Sequence, residues 1–139
     1  MRREDIEQQA LVLFDFLKRE HLFSAPEVTR SPLTTTIVYK ESAIAIEIGI
    51  DWREEDAAVA LVRLENGRLP RGYYVSNGIR CREYLVTWLA ARNRYSRQSM
   101  PRRRSVMAQL ERAKNLLAAN IGLIKKEGPA AFGPATSSR

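Results

Sequence analysis

Residues 43–50 read Ala-Ile-Ala-Ile-Glu-Ile-Gly-Ile. The alternation is strict: Ile44, Ile46, Ile48 and Ile50 fall on one side, Ala43, Ala45, Glu47 and Gly49 on the other. A period of two is the signature of a β-strand, whose successive side chains point to opposite faces. Four isoleucines on one face demand a cover, so this strand must lie in a layer packed against another layer. On its N-terminal side, residues 34–39 are rich in β-branched side chains and predict a second strand, joined through a tight turn at 40–42. On its C-terminal side, the charged stretch 51–56 predicts an exposed turn and 57–64 a third strand, with the small residues Ala58 and Ala60 on one face. Connections this short join antiparallel neighbours, so 34–64 forms a three-stranded meander.

The cover comes from upstream. Ile6, Ala10, Leu13, Phe14 and Leu17 recur at helical spacing and predict one amphipathic helix over 5–21. Acids at its start (Glu4, Asp5, Glu7) and bases at its end (Lys18, Arg19, His21) suit the helix dipole. Pro26 and Pro32 bracket an expected loop. Downstream, Asn66-Gly67 and Asn77-Gly78 mark turns. The extended piece 69–75, carrying Tyr73 and Tyr74, is expected as an edge strand. A helix is expected over 79–92, burying Ile79, Leu85, Trp88 and Leu89. Residues 92–104 form an expected loop. Ser105 is placed to cap a last helix with the apolar stripe Val106, Leu110, Ala113, Leu117 and Ile121, ended by Gly128-Pro129. The expected class is α+β: an N-terminal helix packed on a three- to four-stranded antiparallel meander, followed by two C-terminal helices. One domain is expected over 1–127, with 128–139 a disordered tail.

At 139 residues the chain has the length of a single domain, and its 45% hydrophobic content can form a core. No apolar run approaches the roughly 20 residues of a membrane span. The N-terminus lacks the apolar centre of a signal peptide. With one cysteine, Cys81, and one histidine, His21, the expectation is a cytoplasmic protein that has no disulfide, no metal centre and no cofactor. No glycine-rich phosphate loop and no Gly-x-Ser-x-Gly turn occur, and a buried small hydrophobe accounts for Cys81 more simply than a nucleophile does. The adjacent acids Glu54, Glu55 and Asp56 read as a solvated turn. No catalytic activity, no small-molecule substrate and no membrane association are therefore expected.

Charge is the positive signal. The net of +7 divides unevenly: residues 1–66 carry 8 Lys/Arg against 13 Asp/Glu, and residues 67–139 carry 15 against 3. Six arginines, Arg92, Arg94, Arg97, Arg102, Arg103 and Arg104, crowd the stretch 92–104 with Tyr95 among them. The guanidinium fork matches phosphates and carboxylates, and a tyrosine ring can stack on a base, so this set is a candidate site for an anionic partner. Arg80, Arg82, Arg112 and Lys114 would extend it. The competing reading is a solvated loop. A second candidate surface, for a protein partner, is Trp52 with Tyr73 and Tyr74. Its competing reading folds Trp52 back over the sheet edge and pairs the tyrosines across strands.

The order of helix, meander, tyrosine-rich piece and C-terminal helices resembles the small bacterial proteins grouped with the immunity proteins of toxin systems. Residues 14–17, 36–39, 44–48 and 59–64 carry the resemblance, which is one of pattern over 5–125. It implies a non-enzymatic protein that binds and blocks a cognate toxin, and it carries over no functional residues. The alternative expectation is a nucleic-acid-binding protein using 92–104 and the basic C-terminal half. The oligomeric state is left open. For the fold, the expectation is direct: Ile46→Asp places an unpaired charge in the core and abolishes cooperative unfolding, as followed by circular dichroism.

Overall fold

The isoleucine strand, β3 (Ile44–Asp51), is the middle strand of a five-stranded antiparallel sheet. The computed structural model describes residues 2–72, 74–76, 78–95 and 104–132. β2 (Thr34–Lys40) and β4 (Asp56–Arg63) flank β3, pairing Ile37 with Ile48 and Ile46 with Leu61. The meander is therefore as expected, and two further strands widen it. β1 (Glu27–Arg30) lies where a loop was expected and pairs with β2. β7 (Arg82–Tyr84) lies where a helix was expected and pairs with β4. Neither is long enough to show a period of its own. The described residues of 69–75 do not join this sheet. Instead β5 (Val75–Ser76) and β6 (Ile79–Arg80) form a separate hairpin, with Gly78 at φ 75° between them.

Every helix lies on the isoleucine side. α1 (Arg3–Phe14), α2 (Phe16–His21), α3 (Leu85–Ala91) and α4 (Val106–Glu127) all contribute to one core built on Ile44, Ile46, Ile48 and Ile50. The single helix expected over 5–21 is broken at Asp15, whose N–H reaches back to the Val12 carbonyl at 3.4 Å. The break has a packing reason. Phe14, Phe16 and Leu17 are all buried, and one regular helix cannot turn 14 and 16 to the same side. Leu22, in the left-handed region at φ 65°, then stops α2. The helix expected over 79–92 begins only at Leu85, and Cys81 sits in extended chain between β6 and β7. Ser105 caps α4 as expected, its hydroxyl accepting from the Ala108 N–H at 3.2 Å. The fold runs past the expected boundary at 127: a 3-10 turn, Gly128–Ala131, brings Ala131 and Phe132 into the core.

Among the described residues, the other face of the sheet carries no helix. Val38, Ala45, Val62 and Leu64 form a small second cluster there. At Gly49 a Cβ would meet nothing within 4 Å. Across this face Arg82 grips Glu47 with two bonds, Nε to Oε1 at 2.9 Å and Nη2 to Oε2 at 3.1 Å. Glu47 stands opposite Ala60, and Arg82 opposite Val62, so the pair reaches over β4 from β3 to β7. The small Ala60 leaves the room for it. This answers why β4 alternates small residues on that side.

A second network fastens α1 to the end of the sheet. Glu7, buried within the helix, accepts from Thr35 Oγ1 at 2.6 Å and from Arg30 Nε at 2.9 Å. Thr35 in turn accepts from the Trp52 indole at 2.9 Å, and Arg3 lies over the Trp52 ring at 5.3 Å. Three elements meet through one carboxylate whose sequence position suggested only a dipole effect.

Tyr39 is fully enclosed, and burial, helped by the charge of Asp15, pushes its phenol up to about 12. The unfolded chain ionises tyrosine near 10, so the folded state holds this proton more tightly. Its contribution to stability is complete below pH 10 and lost as pH rises toward 12. Tyr39→Phe therefore retains its circular dichroism signal to higher pH than the wild type, and in the wild type the last phenolate appears only with unfolding.

A candidate binding cleft between β4 and the C-terminal helices

β7 pairs with β4 only over Ala60, Leu61 and Val62, after which the chain turns into α3. The first half of β4, residues 56–59, runs on past the end of β7. An open strand edge is a hazard, since its backbone groups can template pairing with another chain. Gln109 of α4 meets part of it. Its Oε1 accepts from the Ala57 N–H at 2.9 Å, and its Nε2 donates to the carbonyls of Glu55 at 2.9 Å and Arg104 at 2.8 Å. One side-chain amide thus supplies the acceptor and donor that a further strand would have brought.

Beside Gln109 the elements part and leave a cleft of about 460 Å³. Residues 56–59 of β4 form one wall, and 84–87 at the start of α3 another. Ala113 and Leu116 of α4 give the third, and Arg112 and Arg104 stand with Tyr95 at its rim. The lining is mostly apolar, its polar side chains being Arg104, Arg112, Asp56, Gln109, Thr87, Tyr84 and Tyr95. Arg112 lies over the Tyr95 ring, 5.7 Å from its centroid, which fixes that part of the rim.

The arginine-rich stretch divides when placed on the fold. Arg92 packs its guanidinium on the Trp88 ring at 3.8 Å and pairs with Glu127 at 2.8 Å, bracing α3 against the end of α4. Arg94 donates to Asn120 Oδ1 at 3.0 Å, and that buried amide donates on to the Leu116 carbonyl. Tyr95 and Arg104 both reach the cleft. Arg97, Arg102 and Arg103 lie outside the described residues. Of the residues expected to extend the patch, Arg82 is bound to Glu47 and Lys114 lies over the Phe16 ring at 5.7 Å. Among the described residues the stretch divides: Arg92 and Arg94 brace the fold, and Arg104 lines the cleft together with Arg112 of α4.

The aromatic candidates divide similarly. Trp52 is half-buried and held by Thr35 and Arg3, folded back on the sheet end. Tyr73 lies outside the described residues. Tyr74 is exposed and meets Tyr84 edge-to-face at 6.4 Å, their hydroxyls 3.4 Å apart. Tyr84 escaped the sequence reading because it was placed inside a helix. Five exposed large apolar side chains, Leu69, Tyr74, Val75, Tyr84 and Val86, gather between residues 69 and 86. Cys81 is buried, its Sγ 3.5 Å from the Gly72 carbonyl, and burial raises its thiol above the usual range against the pull of Arg82. Among the described residues no group of three or more His, Cys, Asp or Glu is arranged to hold a metal. No helix among them is long and apolar enough to cross a membrane.

No family model matches the chain, and neither a curated protein nor a solved structure is significantly similar to it.

The two classes of arginine separate experimentally. Arg92→Ala removes a stacked, paired guanidinium and costs about 2 kcal/mol, read as a lowered denaturation midpoint. Arg104→Ala changes stability by no more than about 0.5 kcal/mol.

Proposed function

We propose that this protein acts by binding another protein, as a module of the immunity or antitoxin type. The observation that carries the reading is the exposed Tyr74–Tyr84 pair, edge-to-face at 6.4 Å, in a stretch of chain that also exposes Leu69, Val75 and Val86. Tyrosine anchors supply large contact area for little side-chain entropy, and energetic hot spots at interfaces are enriched in them. Tyr84 stands opposite Ala60 on the Glu47 side of the sheet, so a partner can extend its contact over that face. The engagement of Arg92 and Arg94 inside the fold lowers the charge left for phosphates and favours a protein partner over nucleic acid. The nucleic-acid reading rests on Arg104 and Arg112 and on the basic composition of 67–139.

The test uses wild-type protein and a Tyr74→Ala/Tyr84→Ala variant as baits, followed by calorimetry with the purified partner. A stoichiometric complex weakened at least about a hundredfold in the variant supports the reading, the loss expected for two hot-spot side chains. A complex of unchanged affinity sinks it. So does binding to DNA or RNA that falls steeply with salt, the mark of counterion release from phosphates.

A further inference from the structure

We propose that the partner of the Tyr74–Tyr84 surface is an acidic protein, whose carboxylates pair with Arg68, Arg71 and Arg80 while its apolar side chains meet the two tyrosines. This rests on the protein-binding reading and gives the partner its chemistry.

Composition comes first. Residues 66–82 hold Arg68, Arg71, Arg80 and Arg82 and not one Asp, Glu or Lys. Arginine and tyrosine are enriched at protein interfaces, where lysine and the acids are depleted. Pairing comes second. Arg82 is bound to Glu47. The side chains of Arg68, Arg71 and Arg80 make no ion pair and no hydrogen bond among the described residues. Arg68 and Arg71 are exposed, and Arg80 is half-buried. Of the acids flanking the segment, Glu65 already has a partner, and Glu83 stands opposite Leu61, on the other side of the sheet from Tyr84. Placement comes third. Cys81 donates its N–H to the Tyr74 carbonyl at 2.7 Å, and Arg80 beside it stands opposite Val75 in the hairpin. Gly72, next to Arg71, accepts from the Arg82 guanidinium at 3.4 Å, and Arg82 shares β7 with Tyr84. Arg68 is fixed by two backbone bonds with Glu65, at 2.8 and 3.0 Å, just past the end of β4. A guanidinium fork matches carboxylates and phosphates alike. Exposed Leu69 and Val75, interspersed among these arginines, decide for a protein: they offer nothing to a phosphate backbone and fit apolar side chains.

Three labelled probes of equal charge magnitude are titrated by fluorescence anisotropy: a glutamate-rich peptide, a lysine-rich peptide with the same apolar residues, and a single-stranded oligonucleotide. The proteins are the wild type, Arg68→Gln/Arg71→Gln/Arg80→Gln and Tyr74→Ala/Tyr84→Ala. Arg82 is left in place because its pair with Glu47 holds β7. Circular dichroism and denaturation midpoints confirm that each variant is folded. The wild type is expected to bind the acidic peptide most tightly of the three. The arginine variant should bind it roughly tenfold more weakly, the loss of three exposed charge pairs, and the tyrosine variant at least as weakly. Equal affinity for the two peptides, acidic-peptide binding indifferent to the arginine variant, tighter binding of the oligonucleotide, or no acidic-peptide binding at all overturns the proposal. Peptide binding that ignores charge and is lost only in the tyrosine variant overturns it while leaving the protein-binding reading standing. Acidic-peptide binding untouched by the tyrosine variant sinks both.

Discussion

Ile44, Ile46, Ile48 and Ile50, all within 1% of complete burial, form a continuous apolar ridge along the middle strand, and the placement of every helix follows from it. A ridge on one face of a sheet is stabilised only when that face is covered, so the helices before and after the meander must meet on the same side. α1 and α4 do meet there, and the break at Asp15 lets α2 add Phe16 and Leu17 to the same core. Phe132, beyond the last helix, closes the end of that layer.

The price of a one-sided arrangement is an open face and exposed edges. The open face is held by the Glu47–Arg82 pair, which ties the two neighbours of β4 together above Ala60. A buried ion pair of this kind offers modest net stability against a hydrophobic substitute, yet breaking it strands a charge, so it fixes which strand lies beside β4. The edges are blunted by different devices. β1 is short, exposed, flanked by Pro26 and Pro32, and carries Glu27 and Arg30. At the other edge Gln109 occupies the backbone groups of Glu55 and Ala57. Closing that edge with a side chain rather than a strand leaves the cleft beside it.

Charge placement shows how much a linear cluster conceals. Arg92, Arg94 and Arg104 are near neighbours in sequence, yet one braces two helices, one joins a buried amide and one stands at the rim of a cleft. Arg112, a turn and more into α4, joins Arg104 there because the helix begins next to it. Arg104 and Arg112 are brought to one cleft by the packing of α4 on β4, and not by the run of basic residues.

The meander, the helical N-terminus, the capped last helix and the α+β class were legible because each rests on a local pattern long enough to repeat: alternation in 43–50, helical spacing in 6–17, a cap at Ser105. β1 and β7 were not legible, since three or four residues hold too little periodicity and gain their hydrogen bonds only from an existing neighbour. The buried role of Glu7 was hidden for the same reason, because its partners Arg30 and Thr35 come from strands distant in the chain. The exposure of Tyr84 and the cleft itself also depend on where β7 stops against β4. The amino-acid sequence alone determined which face of the central strand is apolar. The tertiary structure decided which arginines serve as braces and which line the cleft, because ion pairing and burial are set by distances between elements that no local pattern encodes.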